Sequence, residues 1–146
     1  MQGLLYLLAF GAGLVLVLQV GMNSTLRAVL GSPLAAALVS FLVGTVALAL
    51  YMVVTRVPWP ARAQFAAIPG WAWWGGVFGA FYVVTSVIVG PRLGAATLLS
   101  LIVLGQLLTS LLVDHFGWVG FPQHPVSLLR LTGAVLLFAG VLLITR

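Results

Sequence analysis

Apolar residues run through this chain in long uninterrupted blocks, and the polar positions collect mostly between the blocks. Five blocks reach the roughly 20 residues that a helix needs to cross the hydrocarbon core of a bilayer. They are Gly3–Met22, Pro33–Thr55, Gly70–Gly90, Gly94–Val113 and Ser127–Thr145. The segments "NSTLRAVLGS", "RVPWPARAQFAAIP", "PRL" and "DHFGWVGFPQHP" separate them with Pro, Gly and polar residues. Lipid-facing barrel strands are about 9–11 residues long and alternate in polarity, which these runs do not. The pattern therefore predicts an all-α integral membrane protein, with five transmembrane helices in a single domain spanning residues 1–146.

Composition agrees with that reading. The chain is 63% hydrophobic and 5% charged, whereas a soluble domain carries roughly 25% charged residues to stay solvated. Its net charge of +5 comes from arginines scattered singly along the sequence, with no lysine. No basic patch exists for nucleic acid, and the arginines read as membrane-edge anchors. Cysteine is absent, which excludes disulfides and thiolate metal sites. The first block has no basic n-region and no small-x-small site after it, so it reads as a mature helix rather than a signal peptide. Trp59, Trp71, Trp73, Trp74 and Trp118 fall at block ends. Two readings stand for them: an interfacial aromatic belt, or a platform on which a substrate stacks.

The one acidic residue is Asp114. Counting from the middle of the fourth block at 1.5 Å per residue puts it roughly 16 Å from the midplane, about the edge of the hydrocarbon. It reads as the start of a polar loop facing water; the other reading is a titrating group in a water-filled end of the bundle, a gate or protonation site. Gln106 lies roughly 4 Å from the midplane on the same arithmetic, so the polar group at the centre of this helix is an uncharged amide.

Gln106, Ser110 and Asp114 step by four and form one stripe. Gly11, Gln19, Asn23 and Arg27 share such a register in the first block, and Gly75, Gly79, Tyr82, Ser86 and Gly90 line a face of the third. Ser40 and Gly44 mark the second, Gly133 and Gly140 the fifth. Small residues let helices approach closely, and small polar ones hydrogen-bond between helices. That accounts for the glycines. Gln19, Asn23, Tyr82 and Gln106 are larger than packing requires, and polar groups inside a membrane mark pathways. The candidate cavity lining is therefore Gln19, Asn23, Ser40, Tyr82, Ser86, Gln106 and Ser110. Arg27 and Arg130 are expected to snorkel to the interface. His115 and His124 bracket a loop beside Asp114, but their spacing matches no metal-ligand pattern. No nucleophile triad, phosphate loop or carboxylate pair occurs, so neither an enzyme nor a bound metal or cofactor is expected.

Five spans place the termini on opposite sides. Arg56, Arg62 and Arg130 then fall on one side, and Arg27, Arg92 and Arg146 on the other. Orientation is normally set by an excess of Lys and Arg in cytoplasmic loops, and here the two sides balance. A chain without that instruction can insert both ways. Two copies in opposite directions would form a ten-helix inverted-repeat bundle, an architecture that places substrate sites at the bilayer midplane.

Three segments carry a family resemblance: "LQVGMNSTLRAVLGSPLAAALVSFLVG", "WGGVFGAFYVVTSVIVGPRLGAATLLSLIVLGQLLTSLLVDHFGW" and "RLTGAVLLFAGVLLI". They closely resemble the YdcZ-like family of small five-helix bacterial membrane proteins, within the drug/metabolite transporter superfamily. The resemblance covers nearly the whole chain, least well at Arg56–Pro69. It implies a half-transporter of the bacterial cytoplasmic (inner) membrane, similar to one repeat of the superfamily's ten-helix exporters. It also implies one of three forms, a dual-topology homodimer, a pair of oppositely oriented chains or a fusion, and the balanced arginines fit the dual-topology, antiparallel homodimer. It brings no substrate. The related small multidrug resistance proteins depend on a glutamate in the first span to exchange protons for cationic drugs. This chain has Gln19 as the large polar residue there and no acid, so a neutral or anionic small molecule suits it better. The reading is a secondary transporter, an exporter, working by alternating access between antiparallel subunits. A non-transporting membrane assembly subunit and a passive channel or lipid-handling protein are the alternatives.

Overall fold

The structure, a computed structural model, describes residues 2–146. It contains helices and turns, with no strand among the described residues. In chain order the helices are α1 (Gln2–Leu30), α2 (Pro33–Val54), the short α3 (Arg62–Ala66), α4 (Trp74–Leu93), α5 (Ala95–Phe116) and α6 (Leu128–Ile144). Single 3₁₀ turns, Gly70–Trp73 and Trp118–Gly120, precede α4 and follow α5. Among the described residues, four segments are long and apolar enough to cross a membrane: α1, α2, Gly70–Leu93 and α5. The fifth block forms an apolar helix of 17 residues, about 25 Å long.

Several boundaries differ from those expected, and local hydrogen bonding or backbone conformation explains each. The first helix does not stop at Met22, because its polar residues satisfy themselves within it. Ser24 Oγ donates to the Val20 carbonyl at 2.8 Å and Thr25 Oγ1 to that of Gly21 at 3.1 Å, so these hydroxyls do not compete with the helix. The helix ends at Gly31–Ser32 instead. Pro33 disfavours helical backbone at Ser32, and the Ser32 hydroxyl caps α2 by accepting from the Ala35 N–H at 3.3 Å. "PRL" is not a break either: Pro91 lies inside α4, which runs to Leu93. The break falls at Gly94, whose φ of +81° a side chain would oppose. Likewise α5 carries Asp114 and His115 in its last turn and stops at Gly117, where a left-handed cap turns the chain (φ 66°).

Two compact units make up the chain, Met1–Arg92 and Leu93–Arg146. In the first, α1 packs along α2. Helix α4 joins them through a small apolar core of Ala37, Val83 and Val87, with Tyr82 and Val84 packed against it. Gly79 faces the Phe41 ring, whose Cζ would lie 3.5 Å from an added Cβ, an ordinary contact. Arg27 sits inside α1 and donates from Nη1 to the Val87 carbonyl of α4 at 2.9 Å. It is thus an interhelical hydrogen-bond donor, not the snorkelling residue of a connection.

In the second unit α5 packs along α6, and their connection is fastened to the end of α5. The His124 N–H donates to the Asp114 carbonyl at 2.7 Å, Gln123 Nε2 to the His115 carbonyl at 2.9 Å, and the Val126 N–H to His115 Nδ1 at 3.2 Å. Arg130, in the first turn of α6, turns to Asp114 rather than to open interface. Most apolar side chains of both units face outward; in α1 only Val20 and Asn23 are buried among the described residues. An unburied apolar surface of this extent requires an apolar solvent.

Candidate functional site

The first unit carries a cleft of about 710 Å³ between α1 and α2, into which Gln19, Asn23 and Ser40 bring polar groups. Helical spacing produces it. Gln19 and Asn23 are one turn apart and share a face of α1, and Ser40 and Gly44 do the same on α2. A smaller hollow of about 270 Å³ adjoins it through Gln19 and Ser40 and is walled by Phe41, Gly44 and Val83. Gln19 lies about 5 Å from the middle of α1 along its axis, so the polar end of the cleft is set on the helix interior and not at its ends. The remaining wall is aliphatic, from Val15, Leu16, Met22, Leu26 and Val43 among others.

Asn23 is only 4% exposed. An amide so enclosed costs several kcal/mol unless it is hydrogen-bonded, which makes it the most constrained polar group of the cleft. Amide side chains both donate and accept, and a serine hydroxyl does the same. The arrangement can therefore orient a neutral polar group, or donate to an anion, against apolar walls. It has no group to transfer protons. Among the described residues of this unit no carboxylate is present at all, so a cation would meet no counter-charge there.

The other candidate residues separate. Ser86 is 2% exposed, and its hydroxyl donates to the Tyr82 carbonyl one turn back at 2.8 Å; it serves the packing of α4. The Tyr82 hydroxyl is enclosed and has no hydrogen-bond partner among the described residues. Gln106 is exposed on α5, in the second unit, and lines none of the described clefts. Ser110 and Asp114 do share a cleft of about 440 Å³ between α5 and α6, together with Arg130. There the Arg130 Nη1 bonds Asp114 Oδ2 at 3.2 Å and also the His124 carbonyl at 3.2 Å. Asp114 is 25% exposed and Arg130 39%, so the carboxylate belongs to a half-exposed ion pair at a helix end. His115 and His124 take part in the loop's hydrogen bonds, and no cluster of three metal-ligating side chains occurs among the described residues.

Comparison with known families decides the class. The family described as "Putative inner membrane exporter, YdcZ" matches residues 4–143. The chain belongs to this family. No curated protein and no solved structure matches it. The YdcZ family name describes a membrane exporter, a transporter rather than an enzyme, and the long apolar helices agree with that setting.

In this YdcZ-family chain, Gln19, Asn23 and Ser40 of the expected lining face one cleft, and its other walls carried no separate signal in the sequence. Thr45 and Val83 line the smaller hollow but carry no signal that separates them from the other apolar-run residues. Thr45 further conceals its polarity by donating to the Phe41 carbonyl at 2.8 Å.

Proposed function

We propose that the chain is a secondary transporter that exports a small neutral or anionic organic molecule, with Gln19, Asn23 and Ser40 as its binding groups. The observation that carries this reading is the cleft of the first unit: largely apolar, set away from the helix ends, with three convergent polar side chains. Ligand sites have this composition, apolar walls for contact and a few polar groups for orientation. Asp114 and Arg130 act as a peripheral gate, their ion pair opening and closing the end of the α5–α6 cleft.

The working form is an antiparallel homodimer of five-helix chains, in which α6 crosses as the shortest span. Support comes from the balanced arginines and from polar groups left open on apolar helices. Gln106 is exposed near the middle of α5, and an amide facing lipid at that depth is costly. A second copy covering these faces removes that cost, and alternating access is then the rocking of one copy against the other.

The naturally cysteine-free chain permits a direct test. Gln19→Cys and Ser40→Cys react with a water-soluble thiol reagent in native membranes if the cleft is wet, whereas Leu14→Cys, on the apolar surface of α1, does not. Equal unreactivity at all three positions would sink the assignment of the site.

A further inference from the structure

We infer that Arg27 is the positioning residue that replaces the backbone donor Pro91 removes from α4. A proline inside a helix has no N–H for the carbonyl four residues earlier. In α4 that carbonyl belongs to Val87. It is also the carbonyl to which Arg27 Nη1 donates, at 2.9 Å, from α1. Val87 is fully buried, and an unpaired carbonyl at such a place would carry the whole cost of its lost hydration. Within a membrane, water is not at hand to make up the bond, and neighbouring helices must supply partners at proline positions. The guanidinium does so with one nitrogen.

The consequence concerns the cleft. Asn23 stands one turn before Arg27 on α1, and Val83 one turn before Val87 on α4; each lines the cleft or its adjoining hollow. The tie therefore fastens α4 to α1 one turn beyond the cleft and sets where its Val83 wall stands. The rest of the α4 contact is apolar packing, Val83 and Tyr82 at the Ala37 core and Gly79 beside the Phe41 ring, and apolar packing holds α4 less specifically than a directed hydrogen bond. Arg27 fixes the position and Pro91 creates the need for it. This inference rests on the hydrogen bond and not on the transport reading, and it can fail while that reading stands.

The test is a double-mutant cycle in the purified full chain, read by thermal stability in detergent and by amide exchange over Val87–Leu93. Arg27→Met keeps an apolar stem and removes the donor. Pro91→Ala restores an N–H to α4. With Pro91 present, Arg27→Met is expected to lower the melting temperature and to speed exchange at the end of α4 by about tenfold or more, the ratio for one charge-assisted hydrogen bond. In the Pro91→Ala background the same substitution is expected to change little, and Arg27→Lys, which keeps a donor, to retain part of the effect in the Pro91 chain. Equal loss from Arg27→Met in both backgrounds would overturn the inference, as would no loss with Pro91 in place. Should Arg27→Met alone fail to fold, recovery of folded protein by adding Pro91→Ala supports the inference, and failure to recover overturns it.

Discussion

Val119 is the residue at which side chain and backbone disagree most plainly. It has φ 58° and ψ 26° in the turn after α5, a left-handed conformation that costs a β-branched residue about 1–2 kcal/mol. Its side chain is 60% exposed, so little packing offsets that cost. Val119→Gly is therefore expected to raise stability by about 1 kcal/mol, seen as a melting temperature a few degrees higher; an unchanged or lower melting temperature would mean that the strain is relieved in another way. Glycine already stands where the same geometry recurs at Gly117, and there a Cβ would meet Gln123 Cβ at 3.4 Å. Single polar residues tell a related story. Ser24, Thr25, Thr45 and Ser86 all turn their hydroxyls back to their own helix, so a polar letter in an apolar run is not by itself a break or a site. Among the described residues, Gln19, Asn23 and Ser40 make no such bond to their own helix and bring their polar groups to the cleft.

At the scale of helices, α4 approaches the Phe41 ring of α2 at Gly79. An alanine there would make an ordinary contact with Phe41, at 3.5 Å, whereas a branched side chain adds atoms beyond a Cβ that already touches the ring. Gly79→Ala is expected to be close to neutral, and Gly79→Ile to cost about 1–3 kcal/mol by overpacking. Thermal melts of the two variants check this, and equal behaviour would mean that α4 moves freely away from α2. The existence of every long helix was legible in the apolar runs, since about 20 apolar residues in lipid leave the backbone no other way to satisfy itself. Their ends were not. Composition suggested stops at Met22 and Gly90, yet α1 continued because its hydroxyls bonded inward, and α4 continued through Pro91. The N-cap of Ser32 before Pro33 was the readable kind of boundary, since proline at the first helical position suits a helix start.

For the whole molecule, the balance of arginines argues for insertion in both directions, and topology is the first measurement to make. A single cysteine added at the C-terminus and labelled in intact cells with an impermeant reagent is expected to react in about half the copies, because no excess of charge favours one side. Uniform reaction, or none, would mean one fixed orientation and would remove the antiparallel dimer from the proposal. The sequence by itself determined the solvent, the helical class and the family, because hydrophobic burial in lipid depends on composition and length rather than on arrangement. It also marked Gln19, Asn23 and Ser40, because a period of 3.6 turns spacing directly into a shared face. Only the tertiary structure decided which polar residues meet across helices: Asp114 with Arg130, Gln106 with no cleft, and Arg27 with the carbonyl that Pro91 leaves free. The last pair lies 60 residues apart, and a contact at that separation depends on how helices pack, which no local pattern encodes.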